Sequence, residues 1–268
     1  MWVKKSSKIV WKSLLDFFND DGLTFAGSMS FFFMMALIPY CLFLLAIFGY
    51  FLGEHADFFQ FFLEKLIGLF PKVTRVITEE LTKIIIYKQI GNFTLFLYGV
   101  LSFQLFSSLD VAINRIFGIH TKRRFIVSLV FSLTVITVII ALLLVSFSAS
   151  SAVAGLETLK KFIPALRIGR LIGFIIRFII PLVLVFLVSS MLYFLLPRKR
   201  VTAVHAFSGA LFTSCFLEAA KHLFTFYVVR VVNLGTIYGP FSAFIIFLLW
   251  LFYSSCIFLI GAEIVNNI

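Results

Sequence analysis

The sequence predicts an all-α membrane protein with six transmembrane helices, an N-terminal interfacial helix and amphipathic helices in the first extracytoplasmic loop. Composition points there first: 62% of the 268 residues are hydrophobic and only 13% charged, against roughly 25% charged in soluble domains. Mean hydropathy is +1.10. Second, uncharged runs of spanning length recur at Gly22–Gly53, Gln89–Leu109, Phe125–Leu156, Phe178–Pro197 and Val231–Ala262, and a helix needs about 20 apolar residues to cross a hydrocarbon core of roughly 30 Å. Third, the runs are continuous, whereas strands of a membrane barrel alternate over about 10 residues.

In chain order, Ser7–Asn19 reads as an amphipathic helix lying on the membrane. Ile9, Trp11, Leu14, Leu15 and Phe18 gather toward one side, while Lys4, Lys5, Lys8 and Lys12 face anionic headgroups. Span one is expected at about residues 23–52, kinked at Pro39, which lacks a donor N–H. The insert 54–90 differs in kind. Five basic and five acidic residues mix there with Phe58, Phe59, Phe61 and Phe62, and after Pro71 the apolar residues recur at helical spacing. One or two amphipathic helices packed on the bundle or the interface are expected. Spans two to five follow at about 92–117, 125–155, 171–196 and 203–229, with Pro197 closing the fourth. The sixth, about 238–265, opens at Tyr238-Gly239-Pro240, where Pro suits the first helical position and Gly239 permits a backbone angle that other residues resist. No repeat or linker divides the chain, so residues 1–268 read as a single polytopic membrane domain.

Orientation follows from Lys and Arg in short loops. The N-terminal segment and the hairpins around Lys122-Arg123-Arg124 and Arg198-Lys199-Arg200 hold eleven, counting Arg115; the other side holds five outside the insert. Both termini are therefore placed in the cytoplasm, and the first span reads as an uncleaved signal-anchor. The net charge of +11 is explained by this topology rather than by nucleic acid. Cys41, Cys215 and Cys256 fall inside spans without close pairing and read as small core residues. No phosphate-binding Gly-rich loop occurs, and His55, His120, His205 and His222 stand apart from metal-ligand spacing. No cofactor and no metal are expected.

Candidate functional residues are the charges inside the spans. Glu218, Lys221 and His222 share one face of span five at i, i+3 and i, i+4 spacing, and an ionisable side chain at mid-bilayer costs about 2.5–3.5 kcal/mol on insertion scales, so that face is expected to turn inward to partners or water. Two readings stand side by side: a neutralised Glu–Lys pair that holds the bundle, or a polar track on which Lys221 and His222 attract an anion while Glu218 sets their charge state. Arg177 either snorkels to the interface or contacts a lipid phosphate. Asp110 and Asn114 read as pairing residues at the cytoplasmic end of span two. Glu263 either marks the aqueous end of the last span or turns toward a basic hairpin behind the tight Gly261-Ala262 step. Trp250, at mid-span, is expected to pack on another helix.

Several punctuation marks of the last 75 residues recur in a familiar order: Leu192-Tyr193-Phe194-Leu195-Leu196-Pro197, Gly209-Ala210, Tyr238-Gly239, Leu249-Trp250 and Gly261-Ala262-Glu263. With the early stretch from Ala26 to Pro39, they resemble the YihY / virulence factor BrkB family of bacterial inner-membrane proteins, over almost the whole chain. Phe31, Phe32 and Phe33 depart from the pattern, which commonly carries Tyr there. The resemblance implies a six-helix protein of the bacterial cytoplasmic membrane, with relatives regarded as candidate transporters and linked to serum resistance and to lipid A or phospholipid export. An older ribonuclease BN label also travels with the family. The residues speak against it, because RNA cleavage needs a hydrated metal cluster or a positioned acid–base pair.

The expected function is a non-ATPase transporter or lipid-handling protein. Its path runs along Glu218, Lys221 and His222, aided by Arg177 and Glu263, with membrane lipids, anionic headgroups included, as partners. The alternative is a non-transporting scaffold that binds envelope-assembly proteins through the 54–90 insert. A membrane-tethered nuclease is the third reading.

Overall fold

The structure is a computed structural model, and it describes residues 2–35, 92–119, 127–128, 178–230 and 242–268. Every regular element among them is helical: α1 Trp2–Asn19, α2 Gly22–Met35, α3 Asn92–Ile116, α4 Ile180–Leu195, α5 Ala203–Arg230 and α6 Ser242–Asn267. Ala203–Phe224 and Phe244–Asn267 are long and apolar enough to cross a membrane, and Gly22–Met35 and Ile180–Leu195 are shorter apolar helices. Apart from residues 127–128, the expected third span lies outside the described residues, as do the 54–90 insert, Pro39, Arg177, Tyr238 and Gly239.

Local chemistry sets the helix ends. Between α1 and α2 the chain turns at Asp21, whose φ of 58° is a left-handed conformation that Asp tolerates better than most residues. Gly22 follows because a Cβ there would run into the Phe17 ring and backbone oxygen. α3 closes in a Schellman motif: Gly118, at φ 71°, and Ile119 send their N–H groups back to Arg115 O and Asn114 O at 2.9 and 2.8 Å. α4 carries Pro181 in its first turn, where a missing N–H costs nothing. It stops before Pro197 as expected. Thr202 begins α5, its hydroxyl accepting from His205 N–H at 3.4 Å.

Two compact units divide the chain. The first comprises residues 1–25, 110–223 and 256–268, and the second residues 26–109 and 224–255. In the first, Ala206, Ala210, Thr213 and Ser214 make a buried stripe of small side chains on α5. The backbones of α5 and α6 approach so closely that a Cβ on Gly209 would meet Val265 and the Gly261 carbonyl, and one on Gly261 would meet Thr213 and Tyr193. Small residues permit the close van der Waals packing that holds apolar helices together in lipid, where hydrophobic burial offers no driving force. In the second unit, Ser28 and Ser108 share a hydrogen bond at 2.9 Å. Ser30 donates to Ala26 O and sits 3.3 Å from Ser255 Oγ. Trp250 meets Phe224 with ring centroids 5.3 Å apart, the helix contact expected of a mid-span Trp. Phe31 and Phe33 are largely exposed.

Candidate functional site

The middle of α5 carries the charges singled out by spacing. Lys221 Nζ donates to Glu218 Oε1 at 2.6 Å, and His222 Nε2 lies 3.4 Å from the same oxygen. The three side chains are 18%, 41% and 59% exposed for Glu218, Lys221 and His222. The His222 ring also stacks on Phe178, just before α4, at 5.7 Å between centroids. Phe178 was not anticipated, since nothing in its apolar surroundings marks one Phe among many. Seven residues before Glu218, on the same helix face, Leu211 is 56% exposed. An outward face of α5 therefore changes from apolar to charged halfway along. The expected Glu–Lys pair forms, but Lys221 and His222 lie outward on an accessible face instead of turning inward as expected, because helical spacing groups residues on a face without saying which way that face points.

Glu263 sits elsewhere. It is 1% exposed, which corrects the reading of it as an aqueous-end marker, and its Oε1 has no hydrogen-bond partner among the described residues. Its charged neighbours come from α1 and the following turn: Asp20, Asp16 and Lys12. Helical spacing gives no hint of this, because α1 and α6 are at opposite ends of the sequence. Among the described residues, neither the 198–200 hairpin nor the Glu218 group is a charged neighbour of Glu263.

Around it, α1 is fastened to the end of α6. Asn267 Nδ2 donates to Asp16 Oδ2 at 2.9 Å and to Ser13 Oγ at 3.1 Å, and Lys12 Nζ donates to Asn267 Oδ1 at 2.8 Å. The inward face of α1 is therefore Ser13 and Phe17, both buried, while Trp11, Leu15 and Phe18 point outward.

A second polar lock closes the same unit. Arg198 Nη2 donates to Asp110 Oδ2 at 2.7 Å, with side chains 19% and 6% exposed. Asn114 Oδ1 accepts from Arg198 N–H at 3.0 Å, and Asn114 Nδ2 donates to the Asp110 carbonyl at 2.8 Å. Asp110 and Asn114 are pairing residues as expected, with a hairpin arginine that the sequence offered only as a topology signal. Asn266 Nδ2 donates to Ile116 O at 2.9 Å. Through these bonds the N-terminal helix, the end of α3, the 198–200 hairpin and the end of α6 meet at one end of the unit. Deeper in, the Tyr193 hydroxyl lies 2.6 Å from Phe258 O and 2.7 Å from Thr213 Oγ1, satisfying a polar group that an apolar helix cannot leave bare. Cys215 is exposed and Cys256 half-buried, both as free thiols, so Cys215 is not the core residue it was expected to be. Among the described residues no group of three or more His, Cys, Asp or Glu is arranged to hold a metal.

Apolar helices of spanning length, joined by small-residue packing and buried polar locks, define a helical membrane protein. The chain belongs to the virulence factor BrkB family, whose profile matches residues 14–267. Relatives with similar sequences carry the name UPF0761 membrane protein. One from Prosthecochloris aestuarii is 28% identical over 95% of this chain, and one from Chlorobium chlorochromatii 31% identical over 90%. The chain spans 60% and 55% of the length of those two proteins. A relative from Aliivibrio fischeri is 28% identical over 99% of the chain and 86% of its own length. No solved structure matches.

Proposed function

We propose that this chain crosses the bacterial cytoplasmic membrane six times with both termini in the cytoplasm. On this reading it moves an anionic headgroup or small ion along the charged face of α5 without ATP hydrolysis. The observation that carries the reading is the accessibility of Glu218, Lys221 and His222 in the last two turns of the apolar span Ala203–Phe224. Charges there are costly against lipid tails, so they belong against water or a polar ligand. Orientation is supported by the meeting of α1, the Arg198-Lys199-Arg200 hairpin and the end of α6 at one end of the first unit, which gathers basic residues as a cytoplasmic face does. The chain acts as no nuclease on this reading, and the purified protein leaves RNA intact.

Reconstitution in liposomes with fluorescent lipids tests it. Wild type is expected to move lipid between leaflets, while Glu218→Gln and Lys221→Met lose most of that rate at unchanged protein density. Equal rates in all three would take α5 out of the mechanism.

A further inference from the structure

The outward face of α1 has no use in the path along α5. Trp11, Leu15 and Phe18 are 67%, 50% and 61% exposed and lie at i, i+4 and i+7, a single stripe of the helix. Lys8 is exposed beside them, and the Lys12 side chain is 66% exposed. Of the nearby acidic residues, Asp16 accepts from Asn267 and lies 4.0 Å from Lys12 Nζ, Asp20 in the turn that follows neighbours Glu263, and Asp21 is exposed. Lys199 and Arg200 are exposed at the same end of the unit. The helix cannot swing away from the bilayer. A two-residue turn joins it to the apolar α2, and Asn267 pins it to the end of α6.

We propose that this stripe is a binding surface for anionic phospholipid, on which Trp11, Leu15 and Phe18 enter the headgroup–acyl boundary while Lys8 and Lys12 engage lipid phosphates. The proposal rests on the membrane placement given above and narrows the interfacial reading of this helix to the residues that the structure turns outward. Aromatic and aliphatic side chains beside lysines are the composition of helices that lie in the interface plane. The charge complements an anionic leaflet, where each basic residue contributes roughly a five-fold preference. Zwitterionic lipid satisfies the apolar stripe but not the lysines. A soluble protein partner would leave the stripe facing away from lipid.

Tryptophan quenching separates these cases. Trp2→Phe and Trp250→Phe leave Trp11 as the single tryptophan of the three. The full chain is reconstituted in mixed phosphatidylcholine–phosphatidylglycerol vesicles in which one lipid or the other carries brominated chains at equal mole fraction. Both lipids are expected to quench Trp11, the brominated phosphatidylglycerol about two-fold more strongly or better. Lys8→Gln with Lys12→Gln should bring that ratio to unity while quenching by phosphatidylcholine persists. Should the double variant fail to fold, high salt should do the same to the protein with its lysines intact. Equal quenching by the two lipids at low salt overturns the lipid class, and absence of quenching by either overturns the surface itself. Neither result bears on lipid transfer along α5, which the liposome assay reads separately.

Discussion

Where α1, the 198–200 hairpin and α6 meet, charges are paired or buried: Asp110 on Arg198, Asp16 on Asn267, Glu263 against α1. At the middle of α5 the pairing is as short, 2.6 Å, yet Lys221 and His222 remain 41% and 59% exposed. The contrast separates two uses of charge in an apolar chain. A buried pair fixes one geometry, because removing either partner strands the other in low dielectric. An accessible pair fixes little, since exposed ion pairs are worth about 0–1 kcal/mol. Its place in an apolar span therefore calls for a reason other than stability.

Substitutions can break this comparison, the largest effect first. Asp110→Ala should destabilise the protein by about 3–5 kcal/mol by orphaning Arg198, read as a fall in the unfolding midpoint in detergent. Gly261→Ala should follow at about 1–3 kcal/mol, because the added methyl forces Tyr193 and Thr213 aside in a packed node. Tyr193→Phe removes a hydroxyl paired with Phe258 O and Thr213 and should cost about 1–2 kcal/mol by the same measurement. Glu218→Gln should change stability by less than about 1 kcal/mol while lowering liposome activity most. A Glu218→Gln midpoint falling as far as that of Asp110→Ala would place α5 among the structural locks and erase the distinction.

Much of the fold was legible because lipid imposes simple rules. Uncharged run length located α3, α4 and α6, Pro197 marked the end of α4, and the Gly261-Ala262 step announced close packing. The i, i+3 and i, i+4 spacing correctly grouped Glu218, Lys221 and His222, since a helix face is a local property. Contacts between distant segments were not legible. Glu263 was assigned to the neighbouring span, yet it lies beneath α1, more than two hundred residues earlier in the chain. The outward face of α1 holds Trp11, Leu15 and Phe18, while Phe17 and Ser13 pack inward. Periodicity identifies an apolar stripe but does not say whether protein or lipid covers it. The Arg198–Asp110 lock was hidden for a related reason, since a hairpin arginine counts toward topology whether or not it is paired.

Hydration of the α5 face is the most direct test of its role. With Cys41, Cys215 and Cys256 replaced, single cysteines at positions 211 and 222 can be challenged with a small, charged thiol reagent on the reconstituted protein. Leu211 and His222 are both exposed, at 56% and 59%, so exposure alone predicts equal reaction. If water or polar ligand covers the charged half of the face, position 222 reacts readily and position 211, against lipid tails, does not. Equal inertness at the two positions would contradict a polar path along α5.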